Sequence, residues 1–323
     1  MDQPVDFYRD RQMHHDRCGH TCIVDLEWYR RYQEGAHECP GCGSEADFDN
    51  SLQFTGDPAD PVLDDRFATE TTWFHTSTHQ GWPSPIDFAA SLTDVTLQRM
   101  GLESAARWAQ RQSTKALHVG TYESAVHNMI RRMSDQNGKC EQFYLYGVRL
   151  RPDVKILRGS MPERSTFGDV WLDEIAPAGI EVVRYVNVYE DPGGLSLAVR
   201  PSAIAATRCL PIPLSGADDD PWVIDTAAGL QSVSTELTPL PEEFSELPFL
   251  YTETHRAKAA REAAESLAAG LPATMRHQFE SAVRWEDADN PAEWASRAKR
   301  LFGLVGDAER VLRELATRPV HDL

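Results

Sequence analysis

The chain has 323 residues, of which 41% are hydrophobic and 25% charged, with a formal charge of −18 at pH 7. That composition belongs to a globular protein with a sizeable core, and at roughly 150 residues per domain the length suggests two domains with a small appendage. The acidic balance argues against extended phosphate-backbone binding, which needs clustered Lys and Arg, and favours basic protein partners; no stretch of about 20 apolar residues is present to span a membrane.

The opening stretch MDQPVDFYRDRQMHH mixes charges and has no apolar segment, so it lacks the layout of a secretory signal and a cytoplasmic location is expected. Cysteine usage agrees with a reducing compartment. Four of the six cysteines fall between residues 18 and 42, while Cys140 and Cys209 stand alone and are expected to be reduced and buried.

Residues 14 to 46 hold the Cys and His cluster. CPGCGS, with Cys39 and Cys42, is a zinc-knuckle signature, because its turn aims two sulfurs at one metal. HDRCGH mirrors it: His15 takes the place of a first cysteine, and Cys18 precedes a glycine as Cys42 precedes Gly43. The expected zinc ligands are His15, Cys18, Cys39 and Cys42, with Cys22 and His20 as rivals of His15 for the fourth position. So short a segment cannot bury much apolar surface, so the metal would supply folding energy in a closed, structural site.

The stretch DFDNSLQFTGDPADPVLDDRFATE, residues 47 to 70, reads as a linker because Asp, Pro and Gly interrupt any period. Residues 71 to 210 then read as mixed α and β. TTWFHTS is a strand, SPIDFAASLTDVTLQRM and LESAARWAQRQ are helical, KALHVGT is a short strand, YESAVHNMIRRM a helix and EQFYLYGVRL a strand.

The hairpin VVRYVNVYEDPGGLSLAVRP follows, over residues 182 to 201. Alternation along its first strand groups Val182, Val186, Val188 and Glu190 on one face. Tyr185 and Asn187 share the other, where Asn187 is expected to brace the hairpin or touch an acceptor. Asp191 belongs to the turn. Such antiparallel connections favour an α+β fold over a doubly wound one.

Residues 211 to 248 are rich in Pro, Asp and Ser and read as an extended connection with a strand near PWVIDT. The segment from 249 to 323 reads as a bundle of about four helices. Within it Asn290 is an N-cap, Pro291 the first helical residue, and Trp294, Ala298, Leu301 and Val305 one apolar face. RAKAAREAAE reads as a solvated face laced with charge pairs.

Three pieces taken in order, WFHTS, LHVGTYESA and YVNVYEDPGGLSLAV, resemble the ADP-ribosyltransferase superfamily, including its divergent phage and bacterial toxin-like domains, over about residues 71 to 207. The resemblance implies a mixed, largely antiparallel split sheet with flanking helices; the cysteine cluster places a zinc-ribbon-like module over 1–50 before it, and composition places an extension over 211–248 and a helical domain over 249–323 after it.

It also implies that NAD is held by His75, Thr76 and Ser77 on one strand and by His118, Gly120, Thr121 and the ring of Tyr122 on another wall. Glu190 would bond the ribose 2′-hydroxyl and, with His75, form the catalytic pair. The implied activity is NAD-dependent transfer of ADP-ribose to a macromolecular acceptor, expected to be a protein. The alternatives are an NAD hydrolase and a noncatalytic interaction protein on the same scaffold.

Val188 stands where protein-modifying members carry Glu or Gln, so arginine-directed modification is not expected. The helical insert over 84–112 is read as a lid, a target-binding surface or packing.

Overall fold

The computed structural model describes residues 4–45, 52–84, 92–135, 142–163, 170–212, 218–238 and 253–323. Cys140 and much of the connection over 211–248 lie outside them. The strands are β1 (Arg11–His15), β2 (Thr21–Val24), β3 (Leu52–Phe54), β4 (Trp73–Ser77), β5 (Leu117–Val119), β6 (Phe143–Leu150), β7 (Met161–Pro162), β8 (Val182–Val186), β9 (Leu195–Val199), β10 (Ile204–Ile212) and β11 (His321–Asp322). The helices are α1 (Leu26–Gln33), α2 (Asp65–Glu70), α3 (Asp94–Met100), α4 (Leu102–Ser113), α5 (Tyr122–Asp135), α6 (Leu172–Ile175), α7 (Pro221–Ser232), α8 (His255–Ala268), α9 (Ala273–Ala282), α10 (Pro291–Gly306) and α11 (Ala308–Ala316). The fold class is therefore α+β, as expected.

The chain forms two compact units. The first takes Met1–Ala125, Phe143–Leu210 and Glu314–Leu323, and the second takes Val126–Gln142 and Pro211–Arg313. Among its described residues the first unit carries three sheets, in the orders β2-β1-β3, β11-β10-β6-β4 and β5-β9-β8-β7. The pairs β1–β2, β1–β3, β4–β6, β5–β9, β8–β9 and β10–β11 are antiparallel, and β7 with β8 is parallel. The two four-stranded sheets meet at an isolated bridge between Phe74 and Gly120, whose backbone groups exchange hydrogen bonds of 2.8 and 2.9 Å.

Sheet β5-β9-β8-β7 has two dissimilar faces, as the two-residue period of strands requires. Val119, Val182, Val186, Leu195, Leu197 and Val199 join a core with Met13, Phe54, Val62 and Trp73. The register pairs His118 with Ala198, Val183 with Ala198, and Tyr185 with both Ser196 and Met161. The second face thus begins apolar, covered by Val170 and Leu172, and becomes polar towards the hairpin turn.

Several sequence expectations change. The stretch read as a linker is ordered over its described part: it contributes β3, a turn of 3-10 helix at Pro61–Leu63 and α2, and buries Phe54, Val62 and Ala68. Its aspartates act as caps, since Asp60 accepts from the Val62 amide and Asp64 from the amides of Arg66 and Phe67. PWVIDT is likewise the start of helix α7, with Asp220 as N-cap and Pro221 at the first position. Pro is at home there because its missing N–H would have had no partner. The insert contains α3 and α4 among its described residues.

In the second unit Asn290 caps α10 by accepting from the Ala292 and Glu293 amides. Trp294, Ala298, Leu301 and Val305 are buried, and the Trp294 indole donates to the Val283 carbonyl at 2.6 Å. Arg261 on α8 pairs with Glu265 and Glu253, each at 2.8 Å. Among the described residues no helix is long and apolar enough to cross a membrane.

Candidate functional site

The metal-ligand candidates come from two turns of the same build. His15 ends β1, its amide bonds the His20 carbonyl at 2.8 Å, and the chain reverses through Cys18 and Gly19. The second turn runs from Cys39 to Ser44, with the Gly43 amide on the Cys39 carbonyl at 2.8 Å. Gly19 and Gly43 both have φ near +70°, at 71° and 70°, a region that favours glycine.

The four donor atoms of His15, Cys18, Cys39 and Cys42 lie within 4.8 Å of one another. His15 Nδ1 is 3.1 Å from Cys18 Sγ and 3.4 Å from Cys42 Sγ, and the sulfurs of Cys18 and Cys39 are 3.8 Å apart. Tetrahedral zinc, with bonds of about 2.3 Å to sulfur and about 2.0 Å to nitrogen, sets its ligands roughly 3.5–3.8 Å apart. The cluster can therefore hold a metal ion such as zinc.

Of the rivals, Cys22 packs against the core and burial pushes its thiol up, while the His20 side chain lies over Gly41. Ser44 hydrogen bonds hold the Cys42 thiol down at about 6, with the Ser44 hydroxyl 3.2 Å away. Cys209, the isolated cysteine that is described, is half-buried rather than buried.

The second site gathers at the bridge between the four-stranded sheets. His75 on β4 donates from Nδ1 to the His118 carbonyl at 2.8 Å, and its ring stacks on Trp82 at 4.3 Å between centroids. Trp82 in turn leans on Tyr146, whose hydroxyl donates to the carbonyls of His79 and Gln80 at 2.9 and 2.8 Å. This aromatic wall fixes the imidazole plane.

His118 extends the chain of contacts, with Nδ1 3.2 Å from the Tyr185 hydroxyl. Burial, followed by the charges of Glu163 and Glu190, drives the Tyr185 pKa well up, so the phenol stays protonated. Hydrogen bonds thus connect His75, His118 and Tyr185, and the charges of Glu163 and Glu190 reach the Tyr185 phenol.

Glu190 is not on a strand, which corrects the alternation expected for it. Strand β8 stops at Val186, and the buried Asn187 side chain accepts from the amides of Tyr189, Glu190 and Asp191 at 3.0, 2.8 and 3.0 Å. An Asn side chain that captures successive amides competes with the strand ladder and curls the chain. Asn187 therefore braces the hairpin and sets the half-buried Glu190 at its tip. Glu163 assists by accepting from the Val188 amide at 2.8 Å.

Other expected NAD contacts have structural duties. The Thr76 hydroxyl donates to the Ala125 carbonyl at 3.0 Å, and Ser77 accepts from the His79 amide at 3.0 Å. Thr121 donates to Asp191 at 2.8 Å, and Tyr122 is buried between Phe7 and Phe74 at edge-on angles. A Cβ on Gly120 would stand 2.2 Å from Ser124 Oγ and 2.7 Å from Ser196 Oγ, so any side chain there would have to displace both hydroxyls.

Sequence reasoning did not pick out Tyr185, Glu163, Trp82 or Asp191. Tyr185 could have been found, because alternation puts it with Asn187 opposite the valines. Asp191 is no ordinary turn residue: it is 1% exposed and receives Arg9 at 2.7 Å, Arg11 at 3.1 Å and Thr121. Nearby, Glu123 accepts from the Asp6 amide at 2.6 Å, and burial together with the Asp191 charge raises its pKa.

No family model, curated protein or solved structure matches the chain.

Proposed function

We propose that the protein is an NAD-dependent ADP-ribosyltransferase acting on a macromolecular acceptor, expected to be a protein, with a structural zinc-ribbon-like module at its N-terminal end. The observation that carries the reading is the chain of contacts from His75 through His118 to Tyr185, with Tyr185 in electrostatic reach of Glu190. These contacts link the three motifs of the sequence resemblance. Two four-stranded sheets meeting at the Phe74 and Gly120 bridge are compatible with a split-sheet scaffold.

In this reaction the bond between the nicotinamide nitrogen and ribose C1′ breaks, and nicotinamide leaves with the electron pair. The ribose acquires oxocarbenium character. Glu190 would stabilise that charge and hold the 2′-hydroxyl, while His75, clamped by Trp82, orients the ribose. The acceptor then bonds to C1′ and gives up its proton; with water in that place, the product is free ADP-ribose. Metal held by His15, Cys18, Cys39 and Cys42 would contribute folding energy and no chemistry.

A noncatalytic interaction protein on the same scaffold is the second reading. It is favoured by the engagement of Thr76, Thr121 and Tyr122 in internal contacts. Calorimetric titration with NAD separates the two. The transferase reading expects saturable one-to-one binding that weakens in His75→Ala, and the absence of binding by the intact chain would favour the scaffold. Product analysis after incubation with labelled NAD then distinguishes labelled acceptor from free ADP-ribose.

A further inference from the structure

The stretch EDPGG closes the hairpin beside Glu190, and its neighbours explain each residue. Asp191 is buried against two guanidinium groups, and Gly193 has φ +81° with its α-carbon turned towards Arg11, Phe54 and the Thr55 carbonyl. A Cβ on Gly194 would stand 2.2 Å from the Asp191 carboxylate and 2.5 Å from Arg9. The turn is thus moulded onto the N-terminal strand.

That strand is β1, whose two ends serve different sites. Arg11 begins it, 3% exposed and paired with Asp191; His15 ends it, 0% exposed and in the metal cluster. Four steps at about 3.3 Å per residue separate them by roughly 13 Å. Between them Met13 is fully buried in the core that also holds Val186 and Leu195, the residues flanking the turn. Sheet β2-β1-β3 has strands of only four, five and three residues, at the short end of the usual range.

We propose that metal loading of the His15 cluster and the order of the Glu190 turn are one coupled equilibrium, transmitted along β1 through Arg11 and Asp191. Metal binding fixes the His15 end of the strand and so holds Arg11 in place. If the strand frays, Asp191 keeps Arg9 and Thr121 but loses Arg11, its buried cationic partner, and the carboxylate left with half of its guanidinium pairing disfavours the closed turn. Coupling runs both ways, so weakening the Asp191 contact also weakens metal binding. That this sets the position of Glu190 for chemistry rests on the transferase reading, whereas the coupling itself does not.

The amides of Tyr189, Glu190, Asp191, Gly193 and Gly194 are all bonded within the turn, which makes hydrogen exchange its direct reporter. The experiment follows exchange by mass spectrometry in the full chain, zinc-loaded and chelated, with α10 as the internal reference. Chelation is expected to speed exchange over residues 187–194 by roughly tenfold or more while α10 keeps its protection. Zinc-loaded Arg11→Met should exchange rapidly in that turn already, gain less than about twofold on chelation, and bind zinc more weakly. Arg11→Lys, which keeps the charge, should recover part of the protection.

Unchanged exchange over 187–194 on chelating the wild type, or equal increments in wild type and Arg11→Met, would overturn the coupling. Should chelation loosen α10 as well, the zinc-loaded variants decide: wild-type turn protection in Arg11→Met overturns the proposal, and selective loss there supports it. Failure of the transferase reading would appear as absent NAD chemistry and would leave these exchange rates as they are.

Discussion

Replacing Asp191 with Asn keeps the shape of the side chain and removes its charge. The carboxylate accepts from Arg9 at 2.7 Å to both oxygens, from Arg11 at 3.1 Å and from Thr121 at 2.8 Å. Asn retains one acceptor oxygen and presents an amide to the guanidinium groups, leaving the buried Arg11 without its closest anion. Breaking a buried pair by removing one partner costs about 3–5 kcal/mol. Arg9 is 31% exposed on its side chain and so partly solvated, which places the expectation at the lower end, near 3 kcal/mol. For a unit of about 200 residues that is a fall in Tm of roughly 6–12 °C. Urea unfolding followed by tryptophan fluorescence, with the Arg11→Met and double variants completing a cycle, would measure it. A cost below about 1 kcal/mol, the range of surface pairs, would refute the buried hub.

Further expectations concern metal, pH and a second buried arginine. Metal analysis should find one zinc per chain, lost in Cys39→Ser and retained in Cys22→Ser; retention in both would reject the assigned ligands. Glu123 has a raised pKa in the folded chain, so the folded state holds its proton more tightly and stability falls as pH rises from about 4 through the folded value. Glu123→Gln has no such proton to lose and should therefore gain on the wild type between acid and neutral pH; a pH-independent difference in urea midpoints would contradict the assignment. Arg184, 1% exposed on β8, donates to the carbonyls of Val62 at 2.8 Å and Leu157 at 3.2 Å and to Asp65. Arg184→Met strands both carbonyls and should cost about 2–5 kcal/mol by thermal unfolding, with a loss under 1 kcal/mol counting against the clamp.

How far the sequence could be read depends on the range of the interactions involved. Knuckle turns and capped helices are local devices, so CPGCGS and the Asn290 cap are legible from a few adjacent residues. The same holds for strand β4 and for the hairpin as a pair of strands. Long-range partners are not legible. Asp191 looks like any turn aspartate until Arg9 and Arg11, about 180 positions away, are brought against it. Glu190 was misplaced because simple alternation has no term for an Asn side chain that captures three amides and ends a strand early. Asp and Pro near residue 60 read as a linker and PWVIDT near 220 as a strand, although Asp60, Asp64 and Asp220 cap helical turns there.

The transferase account depends most on Glu190 acting on the ribose, and nicotinamide release from NAD by the zinc-loaded chain measures this most directly. Wild type should release nicotinamide, and Glu190→Gln should be slower by about 10²–10³-fold with an unchanged Tm, in the range found when a stabilising contact to developing charge is removed. Equal rates in the two proteins, or no release by the wild type with any acceptor or with water, would contradict it.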